Sequence, residues 1–179
     1  NNNSPKKDLK LLNPISQEMA TMRPSALPNL IEAASNATAR SNENGRFFEI
    51  GPIFKSGKAD GYQIAASGLL YGKSQDRHWA SDQVTRDVDM YDAKADCINA
   101  LEACGCPVGN LQIEANTPDY YHPGRSGCLR LGKNVIGYFG EIHPAILQDM
   151  DIDFPIMGFE FFFDALPPQR KKGTTKKAL

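Results

Sequence analysis

Between Asp119 and Pro144 the sequence reads DYYHPGRSGCLRLGKNVIGYFGEIHP, and residue types that could do chemistry stand close together there. His122 and His143 are two of the chain's three histidines, Arg125 and Ser126 stand between Gly124 and Gly127, and Glu141 precedes His143 by two positions. A serine nucleophile with a histidine base would be acyl-transfer chemistry. However, Gly124-Arg125-Ser126-Gly127 lacks the G-x-S-x-G order of a nucleophile elbow, and its surroundings read as a hairpin rather than strand–turn–helix. The two histidines also lack the helical H-E-x-x-H spacing that holds zinc. Their expected role is local hydrogen bonding at a turn and a helix cap. No residue is assigned a catalytic role.

The elements that would position these residues follow from turn chemistry. Pro123-Gly124 suits the centre of a type II turn, because glycine accepts a positive φ. If Gly132-Lys133-Asn134 is the hairpin loop, Leu131 faces Val135, Leu129 faces Gly137 and Arg125 faces Glu141. Strand side chains alternate with the pleat, so Leu129, Leu131, Val135 and Phe139 would share a face, with the ion pair at its end. Such a cross-strand pair contributes roughly 0.2–1 kcal/mol when partly exposed. A two-residue loop would instead place Ile142 opposite Arg125.

The rest of the chain supplies a frame. RPSALPNLIEAASNATAR reads as a helix with Ser25 as N-cap, Pro28 in its first turn and Leu27, Leu30, Ile31 and Ala34 as its apolar stripe. Asn44-Gly45 signals a turn. RFFEIGPIF (46–54) and YQIAASGLLYG read as strands covered on both faces, as in the middle of a sheet. HWASDQVTRDV reads as loop. DMYDAKADCINALEACG reads as a helix capped by Asp89, ended by Gly105 and striped by Tyr91, Ala95, Ile98 and Leu101. LQIEA is a short strand, HPAILQDM a short helix with Pro144 at its first position, and IMGFEFFFDAL a final apolar strand. The expected fold class is α+β: an antiparallel sheet flanked by helices, without regular βαβ alternation.

Bulk properties narrow the function classes. The chain has 179 residues and 41% apolar content, enough for one domain with a core. No apolar run approaches the ~20 residues of a membrane span, and NNNSPKKDLK has no signal-peptide character. A net charge of −1 excludes a global basic field for nucleic acid. Cys97, Cys104, Cys106 and Cys128 form no zinc-type spacing and read as reduced thiols, so a cytoplasmic location is expected. Asn36-Ala37-Thr38 fits a glycosylation pattern but falls in the first helix.

Five stretches, NPISQEMATMRPSALPNLIEAASNA, RFFEIGPIF, VDMYDAKADCINALEACG, YHPGRSGCLRLG and GYFGEIHP, resemble in order the core of the bacterial phenylalanyl-tRNA synthetase beta chain. The resemblance implies a class II aminoacyl-tRNA synthetase core-like fold over 14–166, after a loose segment over 1–13. Residues 167–179 would be a basic linker toward a C-terminal domain. His122, Pro123, Gly124, Arg125 and Glu141 would then be a fold signature. The resemblance further implies a core that does not itself catalyse, in an (αβ)₂ enzyme whose alpha chain uses ATP and Mg to charge tRNA(Phe) with phenylalanine. No cofactor or metal is expected in this domain. Its expected partners are the alpha chain and, through the whole enzyme, tRNA(Phe), with no membrane.

The resemblance can be set against particular residues. Active class II cores present an ATP-binding arginine in an F-R-x-E pattern, where this chain has Phe54-Lys55-Ser56-Gly57. Lysine keeps the charge but loses the planar fork that grips phosphate. A second arginine, often in G-L-E-R, corresponds to Ala165 in GFEFFFDAL, and Phe162 stands where a glycine would admit nucleotide. Lys55, Gly57, Phe162 and Ala165 are therefore expected to be degenerate ATP-site positions. Trp79 and Met90 are candidate subunit contacts, with core packing the simpler reading. Two alternatives remain: an active ligase core binding ATP through Lys55 and the strand around Glu49, and a free-standing tRNA or amino-acid binding module using the basic tail.

Overall fold

A computed structural model describes residues 9, 21–56, 58, 61–75 and 86–168. Gly57, Trp79 and nearly all of the basic tail lie outside the described residues. The elements in chain order are α1 (Leu27–Thr38), β1 (Gly45–Phe54), β2 (Tyr62–Tyr71), α2 (Met90–Ala103), β3 (Gln112–Glu114), β4 (Tyr121–Leu131), β5 (Asn134–Ile142), α3 (Pro144–Asp149) and β6 (Ile156–Phe162). The strands form one sheet in the order β1-β2-β6-β5-β4-β3, antiparallel throughout. The expected α+β architecture is therefore present.

Pleat alternation splits the core in two. Ala66 and Leu70 of β2, with Met157, Phe159 and Phe161 of β6, pack with Ala93, Cys97 and Leu101 of α2. Leu69, Tyr71 and Ile156 pack with Leu27, Leu30, Ile31 and Ala34 of α1. Adjacent residues of one strand join different clusters, so the two helices cover opposite faces. The buried stripe of α1 is the one expected, and Pro28 sits in the first turn.

Several expectations need correction. Ser25 is not the N-cap of α1. That position is Ala26, which makes no side-chain cap bond, and Ser25 one residue earlier accepts from the Leu27 N–H at 3.1 Å. Asn44-Gly45 is not a turn of its own: Gly45 already begins β1, and the Asn44 side chain accepts from the Lys73 N–H at 2.7 Å. The buried stripe of α2 is Ala93, Cys97 and Leu101, while Tyr91 and Ala95 face outward. Small residues let this helix approach the sheet closely, so the bulkier Tyr91 is the wrong guide to its inner face. The Asp89 cap and the left-handed Gly105 after the helix are as expected. Finally, β2 is buried but β1 is an edge strand, with Phe48 78% and Ile50 59% exposed. Leu9, within the N-terminal segment expected to be loose, is buried, and its carbonyl accepts from the Met22 N–H.

Candidate functional site

The reactive-looking stretch is assembled by two irregularities in the β4–β5 pair. The loop is the two-residue Gly132-Lys133, since Leu131 pairs with Asn134 and Gly132 takes a left-handed φ of 58°. A register shift then lets the ladder pass from Arg130↔Val135 to Leu129↔Gly137, leaving Ile136 as the extra residue. The shorter loop and the bulge cancel, so the expected register below Leu129 is recovered. Leu129 and Phe139 enter the α2 core and Leu131 packs against it, but Ile136, not Val135, completes that core face.

The second irregularity corrects the assignment of Pro123-Gly124. They do not form a type II turn; they lie inside β4. Tyr121 pairs with Ile142 and Ser126 with Gly140, so His122, Pro123, Gly124 and Arg125 stand opposite the single Glu141. Proline suits a bulge because it has no N–H to lose from the ladder. The bulge brings the Arg125 guanidinium to Glu141 as a bidentate pair, Nε–Oε2 at 2.8 Å and Nη2–Oε1 at 2.9 Å. The Arg125 side chain is 54% exposed and Glu141 only 10%.

Each reactive-looking side chain here has a structural partner. The His122 ring accepts at Nδ1 from the Gly124 N–H, and the His143 ring caps α3 by accepting from the Ala145 N–H. The Ser126 hydroxyl donates to the His122 carbonyl at 2.6 Å and pairs with the Thr117 hydroxyl at 2.8 Å. No serine–histidine side-chain bond is formed among the described residues, so general-base activation has no geometric basis. No group of three or more histidine, cysteine, aspartate or glutamate side chains converges among the described residues.

Of the ATP-site positions singled out in the sequence, Lys55, Phe162 and Ala165 are described, and they lie elsewhere, where β1 and β6 end. Lys55 follows β1 and Phe162 ends β6, yet the Lys55 ammonium lies 4.6 Å from the Phe162 ring centroid, in cation–π range. The Tyr138 ring meets Phe162 edge-on at 6.0 Å. Phe162 is buried with Ile53 and Ala65. Ala165 follows in a short 3-10 turn and packs against both this cluster and the α2 core. The fold thus brings Lys55, Phe162 and Ala165 to one end of the sheet, with the Phe162 ring in contact with Lys55 and Tyr138. On the neighbouring edge, Arg23 bonds the Pro52 carbonyl at 3.0 Å and pairs with Glu49 at 2.6 Å, which occupies the one carboxylate of β1.

Next along the same face lies a group the sequence reading missed. Glu160 is 1% exposed and stands between its cross-strand neighbours Ser67 and Tyr138. Its carboxylate accepts from the Ser25 hydroxyl at 3.1 Å and from the Tyr120 hydroxyl. Burial raises the Glu160 pKa above the usual glutamate range, and the two hydroxyl donors and the Lys55 charge oppose that rise. The Tyr120 and Tyr121 phenols are pushed up by burial and then by the nearby Glu160 charge. One signal was available: a lone acid inside the apolar run GFEFFF is costly to bury without partners.

The family model described as "Phenylalanyl tRNA synthetase beta chain CLM domain" matches residues 1–163. A phenylalanine–tRNA ligase beta subunit of Rhodospirillum rubrum is 46% identical over 172 residues, covering 96% of this chain and 21% of the relative. That of Paramagnetospirillum magneticum is 44% identical over the same length, with the same coverage. The chain thus spans about a fifth of the length of these relatives. Among solved structures, a pyrrolysyl-tRNA synthetase of Desulfitobacterium hafniense superposes with a TM-score of 0.61 at 14% identity, covering 85% of this chain and 50% of that one. That likeness is one of fold.

Proposed function

The chain belongs to the phenylalanyl-tRNA synthetase beta-chain family, and on that premise we propose that it is a class II core-like domain that builds the enzyme without doing its chemistry. In this reading the domain helps hold an (αβ)₂ assembly that charges tRNA(Phe) in the cytoplasm. ATP and Mg are used in the alpha chain.

The observation that carries this reading is the Lys55–Phe162 contact. Activation of an amino acid by ATP requires preorganised charge around the transferring phosphate. Here the Lys55 cation lies over an aromatic ring, 4.6 Å from its centroid. Phe162 and Tyr138 fill the space above the strands with carbon. Lysine in place of arginine also removes the fork that would grip a phosphate in a fixed plane.

Assembly needs a surface, and the outer face of β1 supports one. Phe48 and Ile50 are large, apolar and exposed on an edge strand. Flanking them, Arg46 pairs with Asp96 of α2 at 2.9 Å, a polar rim beside an apolar centre. We assign this face to contact with the alpha chain. The test is co-expression with the alpha chain of the same organism, followed by pull-down of wild type and of Phe48→Asp/Ile50→Asp. Loss of capture by the double variant, with its far-UV spectrum unchanged, is the expected result. Undiminished capture would remove β1 from the interface.

A further inference from the structure

The two edges of the sheet are protected unequally. β3 is three residues long, which gives a second chain little to pair with. β1 runs for ten residues, and its pairing with β2 is regular along that length. In an antiparallel ladder each residue directs its N–H and its C=O to one side, and the side alternates along the strand. The bonds at the end of β1 set that alternation. The Lys55 N–H donates to the Gly61 carbonyl on the β2 side at 2.8 Å, whereas the Phe54 N–H donates to the Arg23 carbonyl at 2.9 Å. The even-numbered residues of β1 therefore turn their backbone outward. Arg23 closes this end of the edge, since its Nε also donates to the Pro52 carbonyl and Pro52 has no N–H to offer.

The outward groups of Arg46, Phe48 and Ile50 lie beyond that closure. Among the described residues β1 pairs with β2 alone, and no other backbone bond reaches these three. Side chains alternate in step with the backbone. The same residues point to the α2 side, where Arg46 reaches Asp96, and Phe48 and Ile50 are 78% and 59% exposed. One stretch thus offers a hydrogen-bonding edge and apolar side chains together. A helix laid on Phe48 and Ile50 would leave the edge unpaired, because its own N–H and C=O groups are already used. An extended segment satisfies both.

We propose that the alpha chain docks by strand addition: an extended segment pairs with residues 46–50 of β1 and lays apolar side chains, at every second position, beside Phe48 and Ile50. The proposal rests on the assignment of this face to the alpha chain and names how the contact is made. The free ladder and the assigned face belong to the same residues, so one partner covers both. The segment needs an N–H at each paired position, which excludes proline there. Its ladder fixes register as well as contact, because a slip of one residue would turn its apolar side chains away from Phe48 and Ile50.

Amide hydrogen exchange of wild type, alone and captured by the co-expressed alpha chain, is the first test. In the chain alone the Phe48 and Ile50 amides should exchange fast, while those of Phe47 and Glu49, which face β2, are slow. Capture should slow the Phe48 and Ile50 amides about tenfold or more. Unchanged exchange at both overturns strand addition. A second arm separates backbone from side chain. Phe48→Ala removes the ring, and Phe48→Pro removes the ring and the outward N–H. The β2 ladder loses no bond in either, and Pro52 shows that β1 holds proline at this phase. Capture of Phe48→Pro should be about tenfold weaker than that of Phe48→Ala. Equal capture would mean that side chains alone make the contact, and the proposal fails while the face remains. Undiminished capture of Phe48→Asp/Ile50→Asp is the separate failure, that of the face itself. Slow Phe48 and Ile50 amides in the chain alone, with the mass of a dimer, would give the edge to a second copy and overturn the assignment to the alpha chain.

Discussion

The β4 bulge and the β2–β6 floor both concentrate polar residues on strands, and they use them in opposite ways. In the bulge, His122, Arg125, Ser126 and His143 are half-buried or exposed, only Glu141 is buried, and each makes a bond within its own hairpin or helix cap. In the floor, Glu160 is fully buried and draws its partners from residues remote in sequence, Ser25 and Tyr120. Residues that look reactive in the sequence therefore shape the backbone. The acid hidden in an apolar strand joins the layers. Polar type alone does not distinguish a site from a scaffold; the distance in sequence between partners does.

The largest expected break in this comparison comes from the floor. Phe162→Ala removes a buried ring and should cost about 3–5 kcal/mol, read as a lowered midpoint in urea denaturation. A loss near zero would mean the ring is not packed, and the floor would be open. In the bulge, Arg125→Ala leaves Glu141, a tenth exposed, without its bidentate partner. The expected cost is about 1–3 kcal/mol, kept below the fully buried limit because Arg125 is half exposed. A double-mutant cycle with Glu141→Gln should show coupling, and additive losses would detach the pair from the bulge.

His143→Ala should cost about 1 kcal/mol through the lost cap of α3, with no change in any ligand binding. A larger loss with altered binding would return the histidines to chemistry.

The smallest effects are in pH dependence, and they carry opposite signs. The Glu160 carboxyl is raised in the fold by burial, so its stabilising contribution is present below the unfolded pKa and is lost as pH rises through the folded value. Relative to wild type, Glu160→Gln should therefore gain stability as pH rises from about 4 to about 7. Asp92, lowered chiefly by its hydrogen bond from Arg86, behaves in reverse: its contribution is present above the unfolded value and lost as pH falls. The disadvantage of Asp92→Asn should shrink on acidification. Parallel slopes for the two variants would mean Glu160 is not desolvated.

What could be read from the sequence follows from how local each cause is. Capping of α2 by Asp89, the stripe of α1 and Pro144 at the start of α3 depend on neighbours within a turn, and the structure has all three. The Arg125–Glu141 pairing was also legible, though its expected loop was a residue too long, because the Ile136 bulge offset that error. The edge position of β1 was not legible: RFFEIGPIF is as apolar as a central strand, and only the sheet order exposes Phe48 and Ile50. Ser25 was misread for the same reason, since the acid it bonds lies in the last strand. Lys55 and Phe162 were marked as altered positions by resemblance alone, and their contact needs the β1–β2–β6 pairing to exist.

The central claim, that this face is packed rather than open to nucleotide, is tested most directly by titration calorimetry of the chain with ATP-Mg, with and without phenylalanine. The account predicts no saturable heat, and none gained on Phe162→Gly. Saturable binding by wild type that is abolished by Lys55→Ala would contradict it.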